Sequence, residues 1–213
     1  MHIEVLVEDS SGARLLDALL PAILGEQGTP HTWRLHPYKG IGRLPAGLST
    51  RDPSKRALLA QLPRLLAGYG KTPGVDAVVV VLDSDERDCK AFLKELKSVL
   101  LRCQPAPNAL FRLAIEEIEA WYLGDRQALL GAFPKAKKDV LKRYRQDTVC
   151  GTWELLADAV LPGGCAAIRR VGWPLPGQIK HGWAERIGPL MNVEQNKSPS
   201  FCKFRDGLRQ LVQ

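Results

Sequence analysis

The stretch Ala77-Val78-Val79-Val80-Val81-Leu82-Asp83-Ser84-Asp85 decides the fold. Its apolar part is a β-branched run with no polar face, too short for a typical helix. Such a run is the mark of a central parallel strand covered by helices on both sides. It stops abruptly at Asp83-Ser84-Asp85. Cys89, Phe92, Leu93, Leu96, Val99, Leu100 and Cys103 then share one helical stripe, with Asp85 or Asp88 available as its cap.

Upstream, Ile3 to Val7 is a short apolar-rich strand that ends in the turn Glu8-Asp9-Ser10-Ser11-Gly12. Leu15, Leu16, Leu19, Leu20 and Ile23 follow at helical spacing, with Ser10 or Ser11 as the natural N-cap. Residues 25–50 are loop-like, with a short strand expected over Thr32 to Leu35. Lys55 to Leu66 forms an amphipathic helix ending at Gly68-Tyr69-Gly70. Downstream, Ala109 to Ile115 is a further apolar segment that runs into Glu116-Glu117-Ile118-Glu119-Ala120-Trp121-Tyr122-Leu123. Strand and helix alternating in this rhythm predict a parallel α/β sheet flanked by helices.

After about Asp125 the character changes. Residues 126–161 read as helical and carry a basic stretch from Lys135 to Arg145. A Gly/Pro-rich passage over 162–177 interrupts them, and short helices follow over Gln178 to Gly188 and Ser200 to Val212. The expected organisation is an α/β domain over 1–125 and a helical C-terminal extension over 126–213.

With 213 residues, 45% of them hydrophobic, the chain can bury a sizeable core. No apolar run is long enough to span a bilayer, and the start Met1-His2-Ile3-Glu4-Val5 has no secretory pattern. Five widely spaced cysteines, none in a CxxC, fit reduced, mostly buried thiols in a cytoplasmic protein. The four histidines are scattered, and nothing near His31 and His36 completes a zinc site. A net charge of +7 makes polyanions such as DNA or RNA reasonable partners, though charge serves solubility as readily.

Ligands of open parallel sheets bind beyond the carboxyl ends of the strands. Glu8, the Asp83/Asp85 pair and the Glu116 to Glu119 run all stand there. Carboxylates gathered at one edge repel, which raises their pKa values or calls for a cation, and Mg²⁺ or Mn²⁺ suits such an oxygen set. Taken singly, each acid reads as a helix cap or dipole partner. Taken together, with DxD directly after the most buried strand, they read as a metal site.

The segments Leu6-Val7-Glu8 with its small-residue turn, and Val81-Leu82-Asp83-Ser84-Asp85, resemble the Toprim signature of topoisomerases, primases and OLD-type nucleases. Lys39-Gly40 with Leu44, Asp88-Cys89, Glu117-Ile118-Glu119-Ala120-Trp121 and Asn196-Lys197-Ser198-Pro199-Ser200-Phe201 are similar to a small Toprim-related bacterial family. The resemblance implies a Toprim-like, Rossmann-like sheet with Glu8, Asp83 and Asp85 as metal ligands and catalytic residues. Glu117 and Glu119 would complete or support the site. It implies metal-dependent phosphodiester cleavage by a nuclease or nuclease-like subunit, with an ATPase partner and a place in defence against phage or plasmid DNA. One departure stands out. OLD-type members place a glycine directly after the first Glu and a second acid four residues after it, where this chain has Asp9 and Gly12.

A phosphodiester substrate needs cationic anchors. Lys39 and Arg43 in a Gly-rich loop, and Lys180 beside Trp183 in a helix, are the candidates near the site. Lys137 and Lys142 belong to the basic stretch, which reads equally as a phosphate-binding face or a solvated surface. Trp121 and Trp183 sit in apolar-periodic segments and are expected in the core. Trp33 and Trp173 occupy loop-like regions open to a contact role. Two rival readings remain at this level: a non-catalytic module docking an ATPase or nucleic acid, and a phosphotransferase using Asp83 as nucleophile. For the second, a haloacid-dehalogenase-type enzyme would carry its DxD after the first strand.

Overall fold

The computed structural model describes residues 1–45, 57–148, 150–172 and 174–213. Four parallel strands form one sheet: β1 (His2–Val7), β2 (Thr32–Pro37), β3 (Ala77–Asp83) and β4 (Ala109–Ala114), in the order β2-β1-β3-β4. The chain is α/β with helices on both faces, as the buried run predicts.

The alternation of side chains along a strand divides β3 between two cores. Val79 and Val81 face α1 (Ser10–Leu24), together with Ile3, Val5 and Val7 of β1. Val78, Val80 and Leu82 face α2 (Leu58–Tyr69) and α3 (Cys89–Leu101), together with Leu6, Phe111 and Leu113. Val78 to Val80 are fully buried. Burying a valine side chain is worth about 1.5–3 kcal/mol, so this run anchors the sheet.

The C-terminal half adds α4 (Glu119–Gly124), α5 (Arg126–Ala132), α6 (Lys138–Leu141), α7 (Thr152–Val160), α8 (Gly164–Val171), α9 (Leu175–Ile187) and α10 (Pro199–Leu211). Helix α9 packs on α1, and α10 lies against β4. Trp121 on α4 stacks on Phe204 of α10 with ring centroids 4.9 Å apart. Trp121 and Trp183 are buried in the core they were assigned to.

Several local expectations are corrected. The N-cap of α1 is Asp9 instead of a serine: its carboxylate accepts the Gly12 amide at 2.7 Å and the Ser11 hydroxyl at 2.9 Å. Of the two expected caps of α3, Asp88 takes the role, accepting the Ala91 amide at 2.7 Å. Residues 126–161 form three helices, because the chain turns at Phe133-Pro134 and again between Lys142 and Gly151. The Gly/Pro-rich passage contains α8, framed by Gly163 and Gly172 in left-handed backbone that glycine adopts without penalty. Trp33 lies on β2 and is buried, so it offers no contact surface. Of the five cysteines only Cys103 is buried, and Cys150 is exposed. The expected helix start at Lys55 and the contact role of Trp173 lie outside the described residues.

Candidate metal centre

In the order β2-β1-β3-β4 the chain winds one way from β1 to β2 and the other way through β3 to β4. The strand order therefore switches between β1 and β3, where open α/β sheets bind ligands. Glu8 follows β1 and Asp83 ends β3. The Asp83 amide donates to Glu8 Oε2 at 3.2 Å, so the two strand ends are tied through a candidate ligand.

Hydrogen bonding between the β3 and β4 ends continues past the strands. The Ser84 amide donates to the Ala114 carbonyl at 3.0 Å, the Asp85 amide to the Glu116 carbonyl at 2.8 Å, and the Glu116 amide to the Ser84 hydroxyl at 2.7 Å. Both Asp85 (φ 47°) and Glu116 (φ 61°) adopt left-handed backbone. For residues with a Cβ this costs about 1–2 kcal/mol, and such outliers gather at functional sites.

Glu116 then reaches across to α7. Its carboxylate accepts the Gly151 amide in a short bond and the Thr152 amide at 2.7 Å, serving as a remote cap for a helix whose own N-cap is a glycine. Glu117 and Glu119 turn instead toward α9. Lys180 Nζ lies 3.0 Å from Glu117 Oε1 and 3.4 Å from Glu119 Oε2. Glu119 is 1% exposed, and its Oε1 has no hydrogen-bond partner among the described residues. The Tyr122 hydroxyl, one turn along α4, is likewise buried without a partner among the described residues.

The electrostatics follow from this crowding. Burial pushes Glu8 up to about 7 against the pull of the Asp83 amide, with Asp85 and Asp9 adding to the rise. Burial, then Glu8 and Glu119, hold Asp83 well above the ordinary aspartate range. Glu119 also reaches about 7 through burial, although Lys180 opposes it, and Glu117 is raised in the same way. Burial alone would lower Lys180, but Glu119, Glu117 and Asp83 raise it overall. Among the described residues Lys180 is the lysine that acts on Glu8, Asp83, Glu117 and Glu119, and this excess of negative charge is what a divalent cation offsets.

A second group of acids adjoins the first. Oxygens of Glu116, Glu117 and Glu154 lie within 4.8 Å of one another, close enough to hold a metal ion. They line an open pocket of about 470 Å³ with Asp85, Arg87 and Trp153. Glu154 Oε1 accepts from Arg169 at 2.6 Å, while its Oε2 is buried without a partner among the described residues. Glu117 belongs to both groups.

The sequence-derived candidates are thus placed unequally. Glu8 and Asp83 meet at the β1–β3 edge, with Glu117, Glu119 and Lys180 near enough to act on them through charge. Among the described residues, however, only Glu116, Glu117 and Glu154 bring three carboxylate oxygens within 4.8 Å of one another. Asp85 is exposed on the rim and pairs with Arg87 at 3.4 Å. Lys39 and Arg43 are exposed on a loop held to the same edge, where the Gly40 amide donates to the Glu8 carbonyl at 3.1 Å. Lys137 and Lys142 flank α6, exposed, with Lys142 paired to Asp139 at 3.2 Å. Neither meets the acidic centre. Glu154 and Tyr122 were not singled out from sequence. A carboxylate and a phenol inside helical segments resemble any others until long-range packing brings them to the site.

Fold and site together define a parallel α/β protein with a carboxylate-rich centre at its topological switch point. No family model, curated protein or solved structure matches the chain. No helix among the described residues is long and apolar enough to cross a membrane.

Proposed function

We propose that this chain is a Toprim-like, Mg²⁺- or Mn²⁺-dependent nuclease, or nuclease-like subunit, acting on phosphodiesters of DNA or RNA. The observation that carries the reading is Glu119 Oε1, a buried carboxylate oxygen with no partner among the described residues, within the field of Asp83. A buried acceptor of this kind costs about 1–3 kcal/mol unless something occupies it. Glu8, Asp83 and Glu119 would hold a divalent ion, which would supply an activated water and charge stabilisation for the leaving oxygen. Lys180 holds Glu117 and Glu119 in place, and the Lys39 loop brings cationic charge toward a phosphate at the same edge. An ATPase partner and a role against phage or plasmid DNA belong to the same proposal, and rest on the motif resemblance.

The test is Mn²⁺ titration by calorimetry, followed by cleavage assays on single- and double-stranded DNA and RNA. Binding and cleavage that both disappear in Asp83→Ala support the reading. Absence of metal binding at millimolar Mn²⁺ rejects it.

Gly12 favours the second reading, a non-catalytic module that binds a partner ATPase or nucleic acid. A Cβ there would stand 2.9 Å from Val7 Cγ1 and 3.4 Å from Ile118 Cδ1, so this packing leaves no room for an acid. The neighbouring Asp9 carboxylate is engaged in capping α1. Under this reading no substrate is cut, and absence of Mn²⁺ binding at millimolar concentration favours it.

A further inference from the structure

Three concavities are lined in turn by residues 144–146, 146–148 and 153–154. The acidic pocket contains Trp153 and Glu154. Beside it, a groove of about 670 Å³ follows β4 past Phe111, Leu113 and Ile115 to Gln146. Gln146 also lines a third pocket, of about 750 Å³, whose walls carry Arg126, Arg145 and Lys197.

The charge of this third pocket is one-sided. Arg145 and Lys197 are exposed, and neither pairs with a carboxylate among the described residues. Arg126 gives one guanidinium nitrogen to the Leu141 carbonyl at 2.8 Å. The acid in the wall, Asp125, is buried, and its two oxygens accept the Ala128 and Asn192 amides at 3.0 and 2.7 Å. Free cations therefore face the pocket while its acid is engaged by backbone.

The juxtaposition is built. Asp147 adopts left-handed backbone (φ 53°), and its carboxylate accepts the Ser198 hydroxyl at 3.0 Å and the Ser200 amide at 2.6 Å. Arg145 stands two residues before Asp147, and Lys197 directly precedes Ser198. The clamp ties together the segments that carry these two cations, both of which line the same pocket, and like charges held near each other are stabilised by an anion. An arginine fork suits phosphate oxygens, and the volume exceeds what one phosphate fills.

We infer that this pocket seats the phosphate backbone of a nucleic-acid strand whose continuation follows the β4 groove to the acidic pocket. The inference names a substrate track for the proposed centre and rests on that reading, but its test needs no metal. Labelled single-stranded DNA and RNA are titrated with the full chain in EDTA, read by fluorescence anisotropy. Arg145→Glu with Lys197→Glu, both surface changes checked by circular dichroism, is expected to weaken binding by at least about tenfold. The log–log salt dependence should become shallower by about 0.7 per lost phosphate contact, the single-strand value. Wild-type affinity in the double variant, or no binding by the wild-type chain, overturns the inference. Displacement of the oligonucleotide by inorganic phosphate or a mononucleotide at equal affinity also overturns it, in favour of a small phosphorylated ligand. Metal-free binding lost in the double variant supports the pocket even if the chain cuts nothing, so the two readings fail separately.

Discussion

The Asp83 amide donates to the Glu8 carboxylate at 3.2 Å, closing the gap between two strand ends whose side chains are the first candidates for metal ligation. This bond favours the charged form of Glu8, yet burial still lifts its pKa to about 7. The centre is therefore held in a geometry that its own charge opposes.

Stability should fall with rising pH when no metal is present. Glu8 and Glu119 both move from an ordinary value of 4.5 to about 7 in the folded chain. An acid with a higher pKa folded than unfolded favours the fold while protonated. That contribution is whole below about 4.5 and is lost as pH rises through about 7, by at most roughly 3 kcal/mol for each group. Urea denaturation across this window, with and without millimolar Mn²⁺, measures it. The slope should flatten with Mn²⁺, and a metal-independent curve counts against the centre.

Lys180→Ala should destabilise the chain by about 3–5 kcal/mol at neutral pH, the usual cost of removing one partner from a buried ion pair. The variant leaves Glu117 and Glu119 facing each other without their cation. Thermal melting reads the loss, and Mn²⁺ should recover more stability in the variant than in the wild type. Equal melting of variant and wild type would show that Lys180 is not what holds these acids.

Gly12→Ala should lower stability although alanine is the better helix former by about 1 kcal/mol. The added Cβ meets Val7 Cγ1 at 2.9 Å, and overpacking of this kind costs about 1–3 kcal/mol. Gly12→Asp, which restores an acid to the OLD-type position, should be worse still and should add no second metal by calorimetry. A stable Gly12→Asp chain that binds two Mn²⁺ ions would remove the main argument for the non-catalytic reading.

How far the sequence carried this picture depended on the range of the forces involved. The β3 run was legible because six neighbouring residues report the same burial, and the convergence of Glu8, Asp83 and the Glu116 to Glu119 run follows from parallel strands ending at one edge. The cap of α1 was misplaced by one or two residues because Asp9, Ser10 and Ser11 all have capping side chains, and only geometry selects Asp9. Helix α8 was hidden because its glycines frame it instead of breaking it. Glu154 was invisible because it joins Glu116 and Glu117 only after Glu116 has captured the start of α7. Trp33, inside the strand expected over Thr32 to Leu35, was read as open to contact because the covering of that face by α1 is set only by tertiary packing.

The DxD pair should divide in function. Asp83 is half-buried, feels the charges of Glu8 and Glu119, and ends β3 at the β1–β3 switch point, whereas Asp85 is exposed and ion-paired with Arg87 at 3.4 Å. An exposed pair is worth at most about 1 kcal/mol, so Asp85 can be neutralised without disturbing the edge. Asp83→Asn and Glu119→Gln remove charge where the metal would be held, and each should reduce Mn²⁺ affinity and cleavage by on the order of 10²-fold or more, about 2.7 kcal/mol. Asp85→Asn should change both by less than about tenfold, because its carboxylate acts on Glu8 only through space. Calorimetry and a cleavage time course on the three variants measure the ranking. If Asp85→Asn is as damaging as Asp83→Asn, the metal lies on the rim with Glu116, Glu117 and Glu154, and the centre must be redrawn around the open pocket.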